Sequence, residues 1–261
     1  MKRGFKIFLS VVFVLAVAFF VGRGFWRPII KPVIETLEPI RPKMAIILDD
    51  WGHNLKLVKN VQAIGRPITL SILPHLPHSR EIAEVAFSHG LGVMLHLPMQ
   101  PKSSAQPMEP TTILTSTPDV EIIQYLNSAI ESVPHVDGVN NHQGSEATSD
   151  ERVMKTVLNH LKNKGLFFVD SRVISTSLGQ RVAQEVGIAF TQRDVFIDNQ
   201  GTLVAIQRQL RQAEKIALKH GRVVVIGHDK KTTIEAIRTI VPELEKNGVQ
   251  LVLAKELLDS R

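Results

Sequence analysis

Met44-Ala45-Ile46-Ile47-Leu48-Asp49-Asp50-Trp51-Gly52 joins an apolar run of strand length to two adjacent carboxylates and a glycine. A short, unbroken apolar run is typical of a strand buried on both faces, as in a parallel sheet. Asp is unfavourable within strands, so we expect Asp49 and Asp50 at or just beyond the C-terminal end of this strand. Both α/β barrels and open α/β sheets carry their chemistry at that end. Such a pair suits a cation ligand beside a general base, whereas a single Asp could simply cap the next helix.

The charge of the chain is concentrated at its beginning. The 261 residues carry a net charge of +6, and residues 1–43 account for all of it with eight Lys or Arg and two Glu. The remaining residues are neutral overall, which argues against a broad phosphate-binding surface and therefore against a nucleic-acid partner. No Gly-rich phosphate loop follows a predicted strand, so we expect no bound nucleotide either.

Residues 1–26 have the pattern of a membrane-targeting segment. Lys2, Arg3 and Lys6 precede an apolar run over residues 7–21 that only Ser10 interrupts. The run suits a cleaved signal peptide and an uncleaved anchor about equally, and either one predicts an exported protein of the periplasm or cell envelope. In the uncleaved case the inner membrane is a partner through this segment. Four prolines in residues 27–43 indicate a linker, and the absence of Cys excludes disulfides and Cys-based zinc sites.

From residue 44 to residue 261 the pattern predicts one α/β domain. Apolar runs indicate strands at residues 45–48, 68–73, 92–95, 137–140, 166–169, 187–190, 222–226 and 249–254. Helical patterns lie between them at residues 55–64, 79–88, 119–132, 150–163, 175–185, 202–219 and 232–246. This alternation favours a distorted (β/α)7–8 barrel, with a doubly wound open sheet as the alternative. The Pro-rich residues 98–118 are expected to form a loop over a site.

Carboxylates and imidazoles follow nearly every predicted strand. If the fold is a barrel, the side chains in this group converge on one mouth: Asp49, Asp50, His96, Asn141, His142, Asp170, Arg172, His228 and Asp229. Each one alone has a structural explanation, as a hydrogen-bonded His or a helix cap. One Asp with two His and an open position would form a reasonable site for a catalytic divalent ion such as Zn²⁺. A spare carboxylate and a further His would then supply a base and an acid.

These residues resemble the polysaccharide deacetylases, and specifically the divergent branch of that family, over about residues 43–258. In the main family a strand ends in Asp-Asp-Gly, and Asp49 and Asp50 match the two carboxylates with Trp51 inserted before the glycine. The family's His-x-x-x-His motif is matched at His96, but Gln100 occupies the place of the second His.

Two further stretches extend the resemblance. Asn140-Asn141-His142-Gln143-Gly144-Ser145 is similar to the signature of the divergent branch and stands where the main family has an Arg-x-Pro-Tyr motif. Ile226-Gly227-His228-Asp229 is similar to the strand that ends in the family's acid His. The resemblance thus implies a third metal ligand at His142 in place of the one lost at Gln100.

The resemblance implies a metal-dependent hydrolase, with Zn²⁺ as the expected ion, that removes N-acetyl groups from an envelope polysaccharide. Asp49 would be the base and His228 the acid, and Asp50, His96 and His142 would hold the metal. The expected supporting or substrate-binding residues are Asp170, Arg172, Asp229, Asn141 and Gln100. Two other functions stay open: a non-catalytic protein that binds a glycan or a partner on the same barrel, and a metal hydrolase of an ester or phosphoester.

Overall fold

Parallel strands form one curled sheet in the computed structural model, which describes residues 41–103, 105 and 107–258. The strands are β1 (Lys43–Trp51), β2 (Thr69–Ile72), β3 (Gly92–Met99), β4 (Gly138–Gln143), β5 (Phe167–Asp170), β6 (Phe190–Gln192), β7 (Val195–Phe196), β8 (Arg222–His228) and β9 (Gln250–Val252). Their order is β6-β5-β4-β3-β2-β1-β8-β7, and β9 pairs with β1. Strands β1 to β6 add one after another on the same side, and β8 then pairs with the other side of β1, with β7 beyond it. This is the winding of a barrel.

The two ends of this strand order lie next to each other in the sequence. Only Arg193 and Asp194 separate β6 from β7. The backbone N–H of Arg193 donates to Asp170 O, and that of Asp194 donates to Val224 O. The chain therefore passes from the edge of β5 to the edge of β8 within a few residues, and the sheet is a distorted (β/α) barrel of a single domain, as predicted.

Helices cover the outside of the barrel. They are α1 (Val58–Gln62), α2 (Ser79–Ser88), α3 (Asp119–Ser132), α4 (Glu151–Asn163), α5 (Gly179–Val186), α6 (Leu203–His220) and α7 (Lys231–Lys246), with 3₁₀ turns at Ala147–Ser149 and Ala254–Leu257. Local signals place several helix ends. Asp150 accepts a hydrogen bond from Val153 N at the start of α4, and Gly187 and Gly221 adopt left-handed conformations just after α5 and α6.

Side-chain alternation along β1 separates two apolar cores. Met44, Ile46 and Leu48 pack outward against the helices, whereas Ala45 and Ile47 face the interior of the barrel. The interior cluster continues with residues from other strands and from the C-terminal 3₁₀ turn: Met94, Phe167, Val169, Val224, Ile226, Val252, Ala254 and Leu257. The interior is therefore packed mainly with apolar side chains at the N-terminal end of the strands.

Most predicted elements are present, with shifted bounds. The helices over residues 79–88 and 119–132 have the predicted bounds, whereas the predicted strand over residues 187–190 gives way to β6, which begins at Phe190. The short strand β7 was not predicted, because two residues carry no periodicity. No helix within the described residues is long and apolar enough to cross a membrane. The predicted targeting segment, and the linker up to residue 40, lie outside the described residues.

Candidate metal centre

A β-bulge in β1 turns two consecutive carboxylates toward the same side. Asp49 continues the inward face that begins at Ala45 and Ile47. Between Leu48 and Trp51 the register against β2 shifts by one residue, and Asp50 has a φ of 68°. An ordinary strand would point Asp50 outward, but the extra residue of the bulge returns it to the interior. Both carboxylates consequently line one pocket.

That pocket opens at the C-terminal end of the strands, where a barrel enzyme would have its active site. It has a volume of about 310 Å³. Its walls come from six of the strands and the turns after them: Asp49, Asp50, His96, Asn141, His142, Gln143, Ser171, Val173, Phe196 and His228. The convergence of polar strand-end residues expected from the sequence is therefore present in the structure.

Three of these side chains form a compact set of metal-ligand atoms. Asp50 Oδ1 lies 3.2 Å from His96 Nε2 and 3.1 Å from His142 Nδ1, and the two nitrogens are 3.1 Å apart. Ligand atoms around a tetrahedral Zn²⁺, with bonds of about 2.0–2.1 Å, lie about 3.3 Å from one another. Moreover, Asp50 Oδ1 is buried and accepts no hydrogen bond of good geometry. One carboxylate and two imidazoles at these distances fit a divalent ion such as Zn²⁺.

The charges of this cluster also fit a cation. Burial alone would raise the pKa of Asp50, but its contacts with His142 and His96 outweigh burial and hold that pKa well below its usual range. Burial lowers the pKa of His96, yet the carboxylates of Asp49 and Asp50 outweigh it and raise the pKa to about 9. A proton on His96 thus supplies positive charge between two carboxylates, in the place that a metal ion would take.

Asp49 is the other carboxylate of the pocket and does not belong to the ligand cluster. It is 2% exposed, and its Oδ1 accepts a hydrogen bond of 2.9 Å from Asn140 Nδ2. Burial raises the pKa of Asp49; His96 and Asn140 lower it, and the charge of Asp50 raises it further, with a net rise. A carboxylate of raised pKa beside a metal site is suited to accept a proton.

His228 faces the cluster from the neighbouring strand. Residues 49 and 228 are paired in register, and His228 Nε2 lies 3.9 Å from Asp50 Oδ2. Its Nδ1 donates to Asp198 Oδ1 at 2.8 Å, and the ring stacks on Phe196 with centroids 5.4 Å apart. Burial lowers the pKa of His228, but the hydrogen bond and charge of Asp198 outweigh it and raise the pKa. His228 is therefore held with Nε2 toward the pocket and with a stabilised proton.

The remaining predicted residues surround the pocket in different ways. Asn141 lines the pocket, and its Oδ1 accepts a hydrogen bond from Ser171 N. Asp229 lies beside it, where burial and the charge of Asp50 raise its pKa to about 7. Asp170 faces the opposite side of β5 and accepts hydrogen bonds from Arg172 N and Ser177 Oγ. Asp170 and Arg172 therefore hold the loop after β5 and do not line the pocket.

Gln100 is turned away from the ligand cluster. Its Oε1 accepts hydrogen bonds from Thr115 N at 2.6 Å and Thr115 Oγ1 at 3.1 Å. Its backbone carbonyl accepts hydrogen bonds from Glu146 N and Ala147 N. Gln100 therefore connects the loop that contains Thr115 to the turn after β4. The third side chain of the candidate ligand cluster is that of His142, one strand further along the sheet.

Sequence reasoning missed two polar residues that hydrogen-bond to side chains of this site. Asp198 follows the unpredicted strand β7 in Phe196-Ile197-Asp198, and the polar residue after an apolar pair is the one signal that could have identified it. The sequence indicates Asn140 only as part of a motif, although it is completely buried and contacts both Asp49 and His96. Both residues act on partners that are 30 or more positions away in the chain, which no local pattern reports.

Comparison with known proteins shows the relatives of this chain. The model of the family described as divergent polysaccharide deacetylase matches residues 46–258. The uncharacterized protein YibQ of Escherichia coli K12 is 35% identical over 217 residues, which are 83% of this chain and 67% of that protein. The structure of the uncharacterized protein ATU2773 of Agrobacterium tumefaciens C58 has a TM-score of 0.79 at 22% identity, covering 83% of this chain and 89% of the other.

More distant structures share the fold alone. The catalytic domain of a peptidoglycan N-acetylglucosamine deacetylase from Eubacterium rectale has a TM-score of 0.52 at 15% identity, covering 83% of this chain and 90% of that one. BA3943 of Bacillus anthracis, described as a CE4 family pseudoenzyme, has a TM-score of 0.51 at 14% identity, covering 85% and 67%. Active and inactive proteins are thus both built on this barrel, and the site has to decide between them.

Proposed function

This chain belongs to the divergent polysaccharide deacetylase family, and from that premise we propose that it is a metal-dependent hydrolase that removes N-acetyl groups from an envelope polysaccharide. The observation that carries the proposal is the pairing of Asp49 with His228 beside the ligand cluster of Asp50, His96 and His142. A metal site alone would serve binding as well as catalysis. A base and an acid that are both directed at the same metal site are what amide hydrolysis requires.

Each residue has one task in this proposal. Asp50, His96 and His142 would hold a divalent ion, which when bound supplies Lewis-acid polarisation of the amide carbonyl and of the attacking water. Asp49 accepts the proton of that water, and its raised pKa makes it a stronger base than an exposed Asp. His228 donates its Nε2 proton to the departing amine, which is otherwise a very poor leaving group. Asp198 stabilises the protonated form of His228 and fixes the orientation of its ring.

Two observations support the proposed substrate and location. The family is named for polysaccharides, and the basic and apolar pattern of residues 1–26 is typical of a targeting segment for export. We therefore place the enzyme in the periplasm or cell envelope, with its barrel facing an envelope glycan.

The test measures Zn²⁺ content and acetate release from N-acetylated oligosaccharides for wild type and for Asp49→Asn. The variant should keep Zn²⁺ and the fold but lose about 10²–10⁴-fold in rate, because the base is gone. Thr191→Val is the matched control: Thr191 is buried, its Oγ1 has no hydrogen-bond partner, and its side chain is not among the pocket-lining residues. A wild-type rate that Asp49→Asn retains would remove Asp49 from the mechanism.

A second candidate function is glycan binding without turnover. It is favoured by Gln100, which stands where the main family has a metal ligand, because a change of ligand set is one way in which hydrolysis is lost. The same experiment separates the two functions. Wild-type protein that binds Zn²⁺ and N-acetylated oligosaccharides but releases no acetate would be a binding protein.

A further inference from the structure

Asn140 lies at the centre of the polar network that contacts His96, a member of the ligand cluster, and Asp49. Its side chain is completely buried and uses every hydrogen-bonding position of its amide. Oδ1 accepts from His96 Nδ1 at 2.8 Å and from Ser71 Oγ, and Nδ2 donates to Asp49 Oδ1 at 2.9 Å and to Ser171 Oγ at 3.3 Å. A fully satisfied buried amide has one stable orientation, so Asn140 is a rigid link between its partners.

The orientation of this amide follows from the chemistry of its neighbours. An ionised Asp49 can only accept hydrogen bonds, so it must face the NH₂ end of Asn140. The amide oxygen then faces His96 and must accept a hydrogen bond from its Nδ1–H. That contact leaves His96 Nε2 as the nitrogen directed at Asp50 and His142, which is the arrangement of a metal ligand with a supporting acceptor behind it.

We propose that Asn140 is a positioning residue that sets two groups at once: it presents His96 Nε2 to the metal and holds the carboxylate of Asp49 beside it. The Asp49 half of this assignment rests on the proposed hydrolase function, whereas the His96 half rests on metal binding alone. This one amide therefore links a side chain of β1 to a side chain of β3 from its own position on β4.

Two variants separate the two contacts. Asn140→Asp has nearly the same shape and keeps an acceptor for His96 Nδ1, but it replaces the donor to Asp49 by a second carboxylate that repels it. Asn140→Leu has a similar size and removes both contacts. We measure Zn²⁺ affinity, by competition with a chromophoric chelator, and acetate release in each variant.

Asn140→Asp should bind Zn²⁺ about as tightly as wild type while acetate release falls by about 10²-fold or more. Asn140→Leu should weaken Zn²⁺ binding by about 10–100-fold, the usual effect of losing the supporting partner of a metal-ligating His. Thr191→Val is the control for packing. Residue 191 pairs with Val169, which in turn pairs with Asn140, so it lies at the same level of the barrel. This variant should leave both quantities unchanged.

Several results would overturn the assignment. Wild-type Zn²⁺ affinity in Asn140→Leu would remove the His96 half, and full acetate release in Asn140→Asp would remove the Asp49 half. Should Asn140→Leu fail to fold, equal losses of affinity and rate in Asn140→Asp would reduce Asn140 to a packing residue. A wild type that binds Zn²⁺ without releasing acetate would sink the proposed function and the Asp49 half with it, and Zn²⁺ affinity would still decide the His96 half.

Discussion

The two halves of the barrel interior are built from the same strands but differ in chemistry. At the N-terminal end, inward positions of β1 and β8 carry Ala45, Ile47, Val224 and Ile226, all buried in an apolar cluster. Two residues further along the same faces are Asp49 and His228, and β3 likewise changes from Met94 to His96. We call the apolar N-terminal part of the interior the lower half and the polar C-terminal part the upper half. Side chains of the lower half can be exchanged for other apolar residues of similar volume, whereas the upper half depends on particular atoms.

The same contrast explains why the site can hold so many charged groups. Burying a charge is tolerated where it is paired or bound to a metal, and the upper half supplies its own partners across neighbouring strands. The packed lower half fixes the strand register, and the register in turn fixes which imidazole faces which carboxylate. Stability and chemistry are thus contributed by separate layers of one sheet, which makes the two halves separable by mutation.

The largest expected effect is in the upper half, at His228. His228→Ala removes the proposed proton donor, so acetate release from an amide substrate should fall by about 10²–10⁴-fold. The loss should be smaller with an acetate ester, because an alkoxide depends less on protonation than an amine does. Acetate release from matched amide and ester substrates measures this ratio, with Zn²⁺ content as the control. Equal losses on both substrates would contradict the role of His228 as an acid.

The next effect belongs to the lower half. Leu257 is 3% exposed and packs into the interior cluster from the C-terminal 3₁₀ turn. Leu257→Ala should lower the free energy of unfolding by about 2–5 kcal/mol through the cavity it creates, and leave Zn²⁺ affinity unchanged. Denaturant unfolding and a Zn²⁺ titration of the folded variant test the two statements. A variant of normal stability that has lost Zn²⁺ would show that the two halves are not separable.

The pH dependence of metal binding tests the charges of the upper half. In the metal-free protein the pKa of His96 is raised to about 9, so this imidazole is protonated at neutral pH. Metal binding must expel that proton, and apparent Zn²⁺ affinity should therefore rise about tenfold per pH unit from about pH 6.5 to about pH 8.5. Calorimetry in buffers of different ionisation enthalpy should detect the released proton. Affinity that is independent of pH over this range would place a neutral His96 in the metal-free site.

The smallest effect concerns Gln100, the position at which the main family has its second His. The Gln100 side chain is hydrogen-bonded to Thr115 in the loop and points away from the ligand cluster. Gln100→His should therefore leave Zn²⁺ affinity unchanged. His142→Ala should lower that affinity sharply, and adding Gln100→His to it should bring no recovery. Recovery in the double variant would mean that position 100 can still reach the cluster.

Local patterns were sufficient for the strand ends. The apolar run before Asp49, the runs before His96 and His228, and the alternation with helices predicted a barrel with polar residues at one mouth. The predicted ligands Asp50, His96 and His142 come together in the structure. These features depend on residue type and on spacing along one segment, and both can be read from the sequence.

Residue types and their spacing along the chain predict the barrel and the polar residues at its mouth, whereas the pairing of the strands establishes which of these residues meet. The bulge at Asp50 is a matter of register against β2, and the outward direction of Asp170 depends on the inward position of Val169 before it. Asp198 and Asn140 acquire their roles only through partners on other strands. The physical reason is that a strand fixes the alternation of its side chains, whereas the neighbouring strands fix their register and hence their contacts.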